Sequence, residues 1–190
     1  MKNNMRVYYC QGMPPQISQH CLAYLLLETM LNRDYSGKLL KKPKYGRTQQ
    51  GKPYLKNCPW VQFNISHCRE GVACAIGSVP VGIDMERRFP WKENLARRIC
   101  HPEEWKKLEQ MEKDAQREQF LNLLWSRKES LLKCIGIGIR CDMREINTLE
   151  VGMHRYCELQ KEQFTLVACC ETEEKEEIEI ERVRGQDLLS

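Results

Sequence analysis

A six-residue stretch, Val81-Gly82-Ile83-Asp84-Met85-Glu86, divides its side chains into two unlike sets, and that division constrains how the chain can pack. Alternate side chains of a strand share a face. Val81, Ile83 and Met85 therefore point to one side, and Gly82, Asp84 and Glu86 to the other. The apolar side demands a core. The other carries two carboxylates about 6.5 to 7 Å apart, close enough to converge on one hard divalent ion. Gly82 is expected to leave room beside them for a ligand. An isolated Asp-x-Glu is more often a solvated strand end, and a second segment changes that reading.

From about Gln116 to Ile135, Leu121, Leu124, Trp125, Leu131, Leu132 and Ile135 recur at helical spacing and predict one apolar stripe. At about 100° per residue, Glu129 and Lys133 fall on the edge of the stripe, one turn apart. Lys128 falls in its middle, where a charge is costly unless it is paired or faces a ligand. It is read as partly structural, paired to an acid in or near the site. An i,i+4 ion pair on a wet face would explain Glu129 and Lys133, but neither Lys128 nor the acidic pair upstream. Three carboxylates with adjacent lysines suit a Mg²⁺-bound polyphosphate ester. Mg²⁺ takes oxygen ligands from carboxylates, phosphates and water, and lysine serves as a point charge on the remaining phosphate oxygens.

Gly82-Ile83-Asp84-x-Glu86 is followed by Trp125-x-x-Lys128-Glu129-Ser130-x-x-Lys133, and preceded by Gly51-Lys52-Pro53-Tyr54 and Phe63-Asn64-Ile65-Ser66-His67. In this order the four motifs resemble those of the 4′-phosphopantetheinyl transferases, the large pseudo-dimeric type that serves peptide, polyketide and fatty-acid synthases. The resemblance runs from about His20 to the C-terminus. It implies an α+β fold of two similar halves, 1–82 and 83–190, related by a pseudo-twofold axis with the site between them. It implies transfer of the 4′-phosphopantetheine arm of coenzyme A to a serine of an apo acyl or peptidyl carrier protein, releasing adenosine 3′,5′-bisphosphate. Carried over residue by residue, Asp84, Glu86 and Glu129 hold Mg²⁺, and Lys133 and His67 neutralise phosphate oxygens. Lys52 and Ser66 help seat coenzyme A, and Glu129 takes the serine proton. Two other readings stay open: a coenzyme A-binding module without catalysis, and a Mg²⁺-dependent phosphohydrolase.

The chain departs from the large members at its N-terminus, where they carry a basic segment and an arginine after a histidine that hold the 3′-phosphate of coenzyme A. Here Cys21 follows His20. Lys41, Lys42, Lys44 and Arg47 are the candidates left, and little discrimination between coenzyme A and 3′-dephospho-coenzyme A is expected.

Composition fits an ordinary soluble enzyme. With 190 residues, 42% of them hydrophobic, the chain can bury a real core. Met1–Arg6 lacks the apolar run of a signal peptide, and no segment approaches about 18 apolar residues, so no membrane span is expected. The 11 cysteines are odd in number and form no C-x-x-C pair, which argues for reduced thiols in a cytoplasm and against zinc. Cys74, Cys169 and Cys170 lie inside apolar strand patterns, where cysteine acts as a small hydrophobe. The net charge of +4 comes without a basic stripe interleaved with aromatics, so nucleic acid is not expected. It would suit an acidic protein partner of a monomeric enzyme. Ser66-His67 lacks the G-x-S-x-G elbow of a hydrolase, and no motif surrounds His20, His101 or His154.

Patterning predicts a helix over 17–32, a Lys/Gly/Pro-rich loop over 36–53, and strands Val61–Ile65, Val72–Gly77 and Val81–Glu86. A helical stretch over 93–135, broken at His101-Pro102 and ended by Gly136, leads to strands near 145–159, 163–170 and 177–183. The Glu-rich run at 171–177 reads as a turn. No residue-level repeat is visible, so duplication rests on the resemblance alone.

Overall fold

A strand absent from the sequence reading, β1 (Arg6–Gln11), runs through the middle of the larger sheet of the computed structural model, which describes residues 5–12, 17–37, 42–138, 141–150, 152–172 and 178–188. Val7, Tyr8, Tyr9 and Cys10 are all buried, so β1 has no polar face to mark it by alternation. It pairs antiparallel with β5 (Gly71–Gly77) and parallel with β9 (Ile180–Arg182), and β4 (Gln62–Cys68) completes the order β4-β5-β1-β9. Helix α1 (Gln19–Asp34) covers one face, setting Leu22, Leu26, Leu27 and Leu31 against Tyr8, Phe63, Val72 and Cys74. The Ser18 side chain caps it.

The second sheet, β6 (Val81–Arg87), β8 (Phe164–Glu171) and β7 (His154–Gln160), is antiparallel in the order β6-β8-β7. Val81, Ile83 and Met85 bury themselves as the alternation requires. With Phe164, Leu166 and Ala168 they form a core shared with Val7, Tyr9, Ala73 and Ala75 of the first sheet. Helix α4 (Asp114–Ile135) lies on the opposite face of β6 and β8. The layers are therefore α1, four strands, three strands and α4, a mixed α+β architecture. In each sheet a strand (β1 or β6) pairs with a later strand (β5 or β8), which also pairs with the one before it in sequence (β4) or with β7.

The break at His101-Pro102 separates α2 (Glu93–Ile99) from α3 (Pro102–Glu109). His101 caps α3, accepting from Glu103 N–H, while Glu104 accepts from the His101 N–H at 2.9 Å. Gly136 ends α4 at φ 84°, its N–H donating to the Leu132 carbonyl.

Four expectations need correction. The 36–53 loop contains part of a short hairpin, β2 (Tyr45–Arg47) and β3 (Pro53–Leu55). The strand expected over 145–159 begins only at His154. The main chain before it is committed elsewhere: the carbonyls of Met143 and Ile146 accept from the Lys128 ammonium, and Thr148 N–H donates to Glu104 at 2.9 Å. The single stripe on α4 is two buried faces, with Leu121, Leu124 and Leu132 toward α2 and α3 and Leu131 toward β8. Ile135, in the last helical position, is 51% exposed. The strand expected over 177–183 is β9, shorter at both ends, and 173–177 lie outside the described residues. Among the described residues no helix is long and apolar enough to cross a membrane.

Candidate active site

The non-core face of β6 meets α4, and Gly82 is where the two backbones touch. A Cβ there would stand 2.0 Å from the Ser130 carbonyl oxygen and 2.4 Å from the Cys134 nitrogen. The space beside Gly82 is thus filled by helix, not by a ligand, which corrects the expectation from sequence. Close approach brings the C-terminal turns of α4 against β6. Two positions along the strand, Lys133 Nζ donates to Asp84 Oδ1 at 2.7 Å.

β4 supplies the other wall. β6 pairs with β8 on one edge only, and its opposite edge would leave amides unpaired. Asn64 Oδ1 accepts from Ile83 N–H at 3.0 Å, and Ser66 Oγ accepts from Met85 N–H at 3.1 Å. Ser66 Oγ also accepts from Lys133 Nζ at 3.3 Å. Two polar side chains on one face of β4 thereby join the two sheets beside the carboxylates. Asn64 received no role from sequence. The signal was its alternation with Ser66 between the apolar Phe63 and Ile65.

Asp84 and Glu129 are buried, and Asp84 Oδ2 and Glu129 Oε1 find no hydrogen-bond partner among the described residues. Burial raises the Glu129 carboxyl above its ordinary range; Lys133 opposes that shift, and Asp84 and Glu86 add to it. Glu86 is half-buried and accepts from its neighbour's Arg87 N–H at 3.0 Å. Its carboxyl is also raised, first by burial and then by Asp84. The three acids of the sequence reading therefore share one field. Among the described residues no group of three or more His, Cys, Asp or Glu side chains stands at metal-holding distances, and the Lys133 ammonium occupies one oxygen of Asp84. The donor set still fits a hard cation: all oxygen, anionic, with two buried oxygens uncompensated.

Two other residues of the reading lie apart from the acids. His67 is exposed and on the opposite face of β4 from Ser66, its ring centroid 6.1 Å from that of His20 on α1. Burial of part of the ring, His20 and Lys133 together lower its pKa. Lys52 donates to the carbonyls of Val81 at 3.0 Å and Cys134 at 2.7 Å, so its ammonium is tied to the end of α4 and the start of β6. Lys128 pairs with Glu104 of α3 at 2.8 Å, an acid outside the β6–α4 cluster. Cys21 is exposed on α1, Arg47 donates to the Gly51 carbonyl at 3.0 Å, and Lys41 lies outside the described residues.

The profile of the 4′-phosphopantetheinyl transferase superfamily matches residues 80–183, more than half of the chain. The 4′-phosphopantetheinyl transferase Sfp of Bacillus subtilis (strain 168) is 35% identical over 136 residues, 70% of this chain and 58% of its own length. A second Bacillus subtilis 4′-phosphopantetheinyl transferase is 39% identical over 95 residues, 50% of this chain and 42% of its own. The 4′-phosphopantetheinyl transferase gsp of Aneurinibacillus migulanus is 36% identical over 118 residues, 60% and 48%. The chain spans about half the length of these curated relatives.

Proposed function

Because the chain belongs to the 4′-phosphopantetheinyl transferase superfamily, we propose that the β6–α4 cleft transfers 4′-phosphopantetheine from coenzyme A to a serine of an apo acyl or peptidyl carrier protein. The observation that carries this reading is the pair of uncompensated buried oxygens, Asp84 Oδ2 and Glu129 Oε1, beside a lysine already seated on Asp84. Buried carboxylates that only stabilised a fold would be paired.

Asp84, Glu86 and Glu129 are the residues that would hold Mg²⁺. The chemistry it would supply there is neutralisation of pyrophosphate charge and polarisation of the phosphorus–oxygen bond that breaks. Lys133, 30% exposed on its side chain, can leave Asp84 Oδ1 for a phosphate oxygen without crossing the core. Ser66 holds the lysine and the β6 backbone in register, and His67 adds a donor at the phosphate end. Lys52 acts by fixing the Gly51–Tyr54 segment against α4. Glu129 takes the proton of the carrier serine hydroxyl, a role suited by a carboxyl whose burial raises its basicity. The serine oxygen then bonds to the phosphorus of the phosphopantetheine arm, the bridging phosphoanhydride bond breaks, and adenosine 3′,5′-bisphosphate leaves.

We propose further that 1–82 and 83–190 form two similar α+β halves with the site between them. The shared strand order, with β5 and β8 each between its two partners, supports this, as does the meeting of Ser66 with Asp84 and Lys133. β6 itself straddles that division, and β9 joins the sheet of the first half. A monomer acting in the cytoplasm completes the reading.

The test is to incubate the protein with coenzyme A, Mg²⁺ and an apo carrier protein, and to weigh the carrier. A gain of one phosphopantetheine, abolished by a chelator and restored by Mg²⁺, is expected. Consumption of coenzyme A with an unchanged carrier would mean a hydrolase, and binding without turnover a module that has lost catalysis.

A further inference from the structure

Five buried side-chain atoms find no hydrogen-bond partner among the described residues, and all five belong to α4 or to the sheet face turned toward it. Asp84 Oδ2 and Glu129 Oε1 are part of the acidic cluster. Thr165 Oγ1, Gln160 Oε1 and Ser126 Oγ have no role in it so far. Along β8, Phe164, Leu166 and Ala168 enter the core between the sheets, and Cys169 packs on α4, so Thr165 points to the α4 side as well. The register sets Thr165 directly opposite Glu86 on one neighbouring strand and Gln160 on the other. Opposed side chains share a face, with Cβ atoms about 4.5 to 5.5 Å apart. Ser126 reaches the same level from the helix. Four residues before it, Asn122 donates to the Phe89 carbonyl, and four after it the Ser130 carbonyl abuts Gly82. Ser126 shares that face of α4 and stands over the middle of β6, three residues from Glu129.

Thr165 and Ser126 are both 0% exposed, and folding alone gives no reason for either hydroxyl. Valine has the shape of threonine and suits a strand, alanine suits a helix better than serine, and a buried hydroxyl left unpaired is destabilising. Glu86, meanwhile, is turned back on its own main chain, accepting from Arg87 N–H at 3.0 Å, although a hydroxyl able to donate lies across the sheet from it. We propose that Thr165 and Ser126 are positioning residues for two of the three acids. As Glu86 leaves Arg87 N–H to join Asp84 and Glu129 around a divalent cation, the Thr165 hydroxyl donates to the Glu86 carboxylate and the Ser126 hydroxyl to that of Glu129. Each bond fixes one oxygen of a carboxylate and aims the other at the cation. The inference rests on the reading of the three acids as cation ligands. Gln160 Oε1 is the competing acceptor for Thr165, and a bond to it would serve the sheet alone.

Two measurements without carrier test the assignment: Mn²⁺ binding in the presence of coenzyme A, followed by loss of the free-ion paramagnetic resonance signal, and the Tm of the metal-free protein. Thr165→Val keeps the shape and removes the hydroxyl. It should weaken Mn²⁺ binding at least about tenfold, as loss of one hydrogen bond to a charged group implies, while Tm stays the same or rises. Thr165→Ser should bind Mn²⁺ within a few-fold of wild type. Ser126→Ala should weaken binding to a similar extent, again without loss of Tm. Unchanged affinity in either hydroxyl-deleting variant overturns the role of that residue, and a lower Tm with unchanged affinity in Thr165→Val marks it as the partner of Gln160 alone. Wild-type protein that takes up no Mn²⁺ overturns both the ligand reading of the acids and the positioning. Mn²⁺ binding that falls in Thr165→Val, in a protein that never modifies a carrier, overturns the transferase reading and leaves the positioning standing. A carrier modified equally well by wild type and Thr165→Val at limiting Mg²⁺ does the reverse.

Discussion

Helix α4 carries two lysine–carboxylate pairs in opposite circumstances. Lys128 and Glu104 are both 0% exposed, and the hydrogen bonds around them are complete: Lys128 also donates to two main-chain carbonyls, while Glu104 accepts from His101 N–H, Thr148 N–H and Thr148 Oγ1. Lys133 and Asp84 are 30% and 6% exposed, and the second oxygen of Asp84 has no partner among the described residues. The first pair staples α3, α4 and the segment before β7 together. The second sits beside two further acids whose carboxyls are raised by burial. A satisfied buried pair holds a fold in one arrangement, whereas an unsatisfied one at the edge of solvent keeps electrostatic free energy available for a ligand.

The largest expected contrast is in activity. In the proposed role Asp84→Ala removes an oxygen ligand and no apolar packing, so carrier modification should fall by at least about a thousandfold, as loss of a principal electrostatic group does. Urea unfolding should show a change of no more than about 1 kcal/mol. Near-normal turnover at limiting Mg²⁺ would break the distinction.

Next comes stability at the other pair. Lys128→Glu sets two carboxylates together in the core and should cost about 3 to 5 kcal/mol or prevent folding. Lys128→Met should be tolerated better, since Glu104 keeps three donors. Equal loss of folding in both variants would show that the ammonium itself, and not the absence of a clash, holds this region.

A smaller effect is expected from Lys133→Ala. It should weaken coenzyme A binding and slow transfer together, by about 1.5 to 3 kcal/mol, because in the proposed role the lysine meets phosphate in ground and transition states. A change in kcat with unaltered binding would confine Lys133 to the transition state.

The smallest is a pH effect on stability. Glu129 in the folded protein holds its proton above the ordinary 4.5, chiefly because it is buried, so ionising it disfavours the fold. Below that ordinary value the carboxyl is protonated in both states and the cost is absent; it is fully present above the raised folded value. Glu129→Gln should therefore raise Tm at pH 7 while abolishing transfer, with the gain fading as pH falls toward the ordinary carboxylate range. A Tm difference independent of pH would mean that packing, not charge, separates the two proteins.

These contrasts also mark where the sequence was legible. The alternation in Val81–Glu86 gave both faces of β6 correctly, because a strand with one face in a core declares itself by period. Lys128 declared itself as a charge on an inward face, but its partner could not be read, because Glu104 lies on another helix with no periodic relation to it. The Lys128–Glu104 hub in turn explains the misjudged start of β7, since it draws the carbonyls of Met143 and Ile146 out of any ladder. β1 escaped because both its faces are buried, and β2 and β3 because three residues show no period. Motif and chemistry singled out Asp84, Glu129, Lys133 and Ser66, which the fold brings near one another. The same motif grouped His67 and Lys52 with them, although one faces α1 and the other is tied to main chain.

The central claim is that one helix separates its structural lysine from its catalytic neighbourhood. It is tested most directly by presenting wild-type protein, Asp84→Ala and Lys128→Met, each shown to be folded, with coenzyme A, Mg²⁺ and apo carrier protein, and weighing the carrier over time. The expected result is one phosphopantetheine added by the wild type and by Lys128→Met, at rates within a few-fold of each other, and none by Asp84→Ala. A carrier modified by Asp84→Ala at the wild-type rate, or left unmodified by folded Lys128→Met, would contradict it.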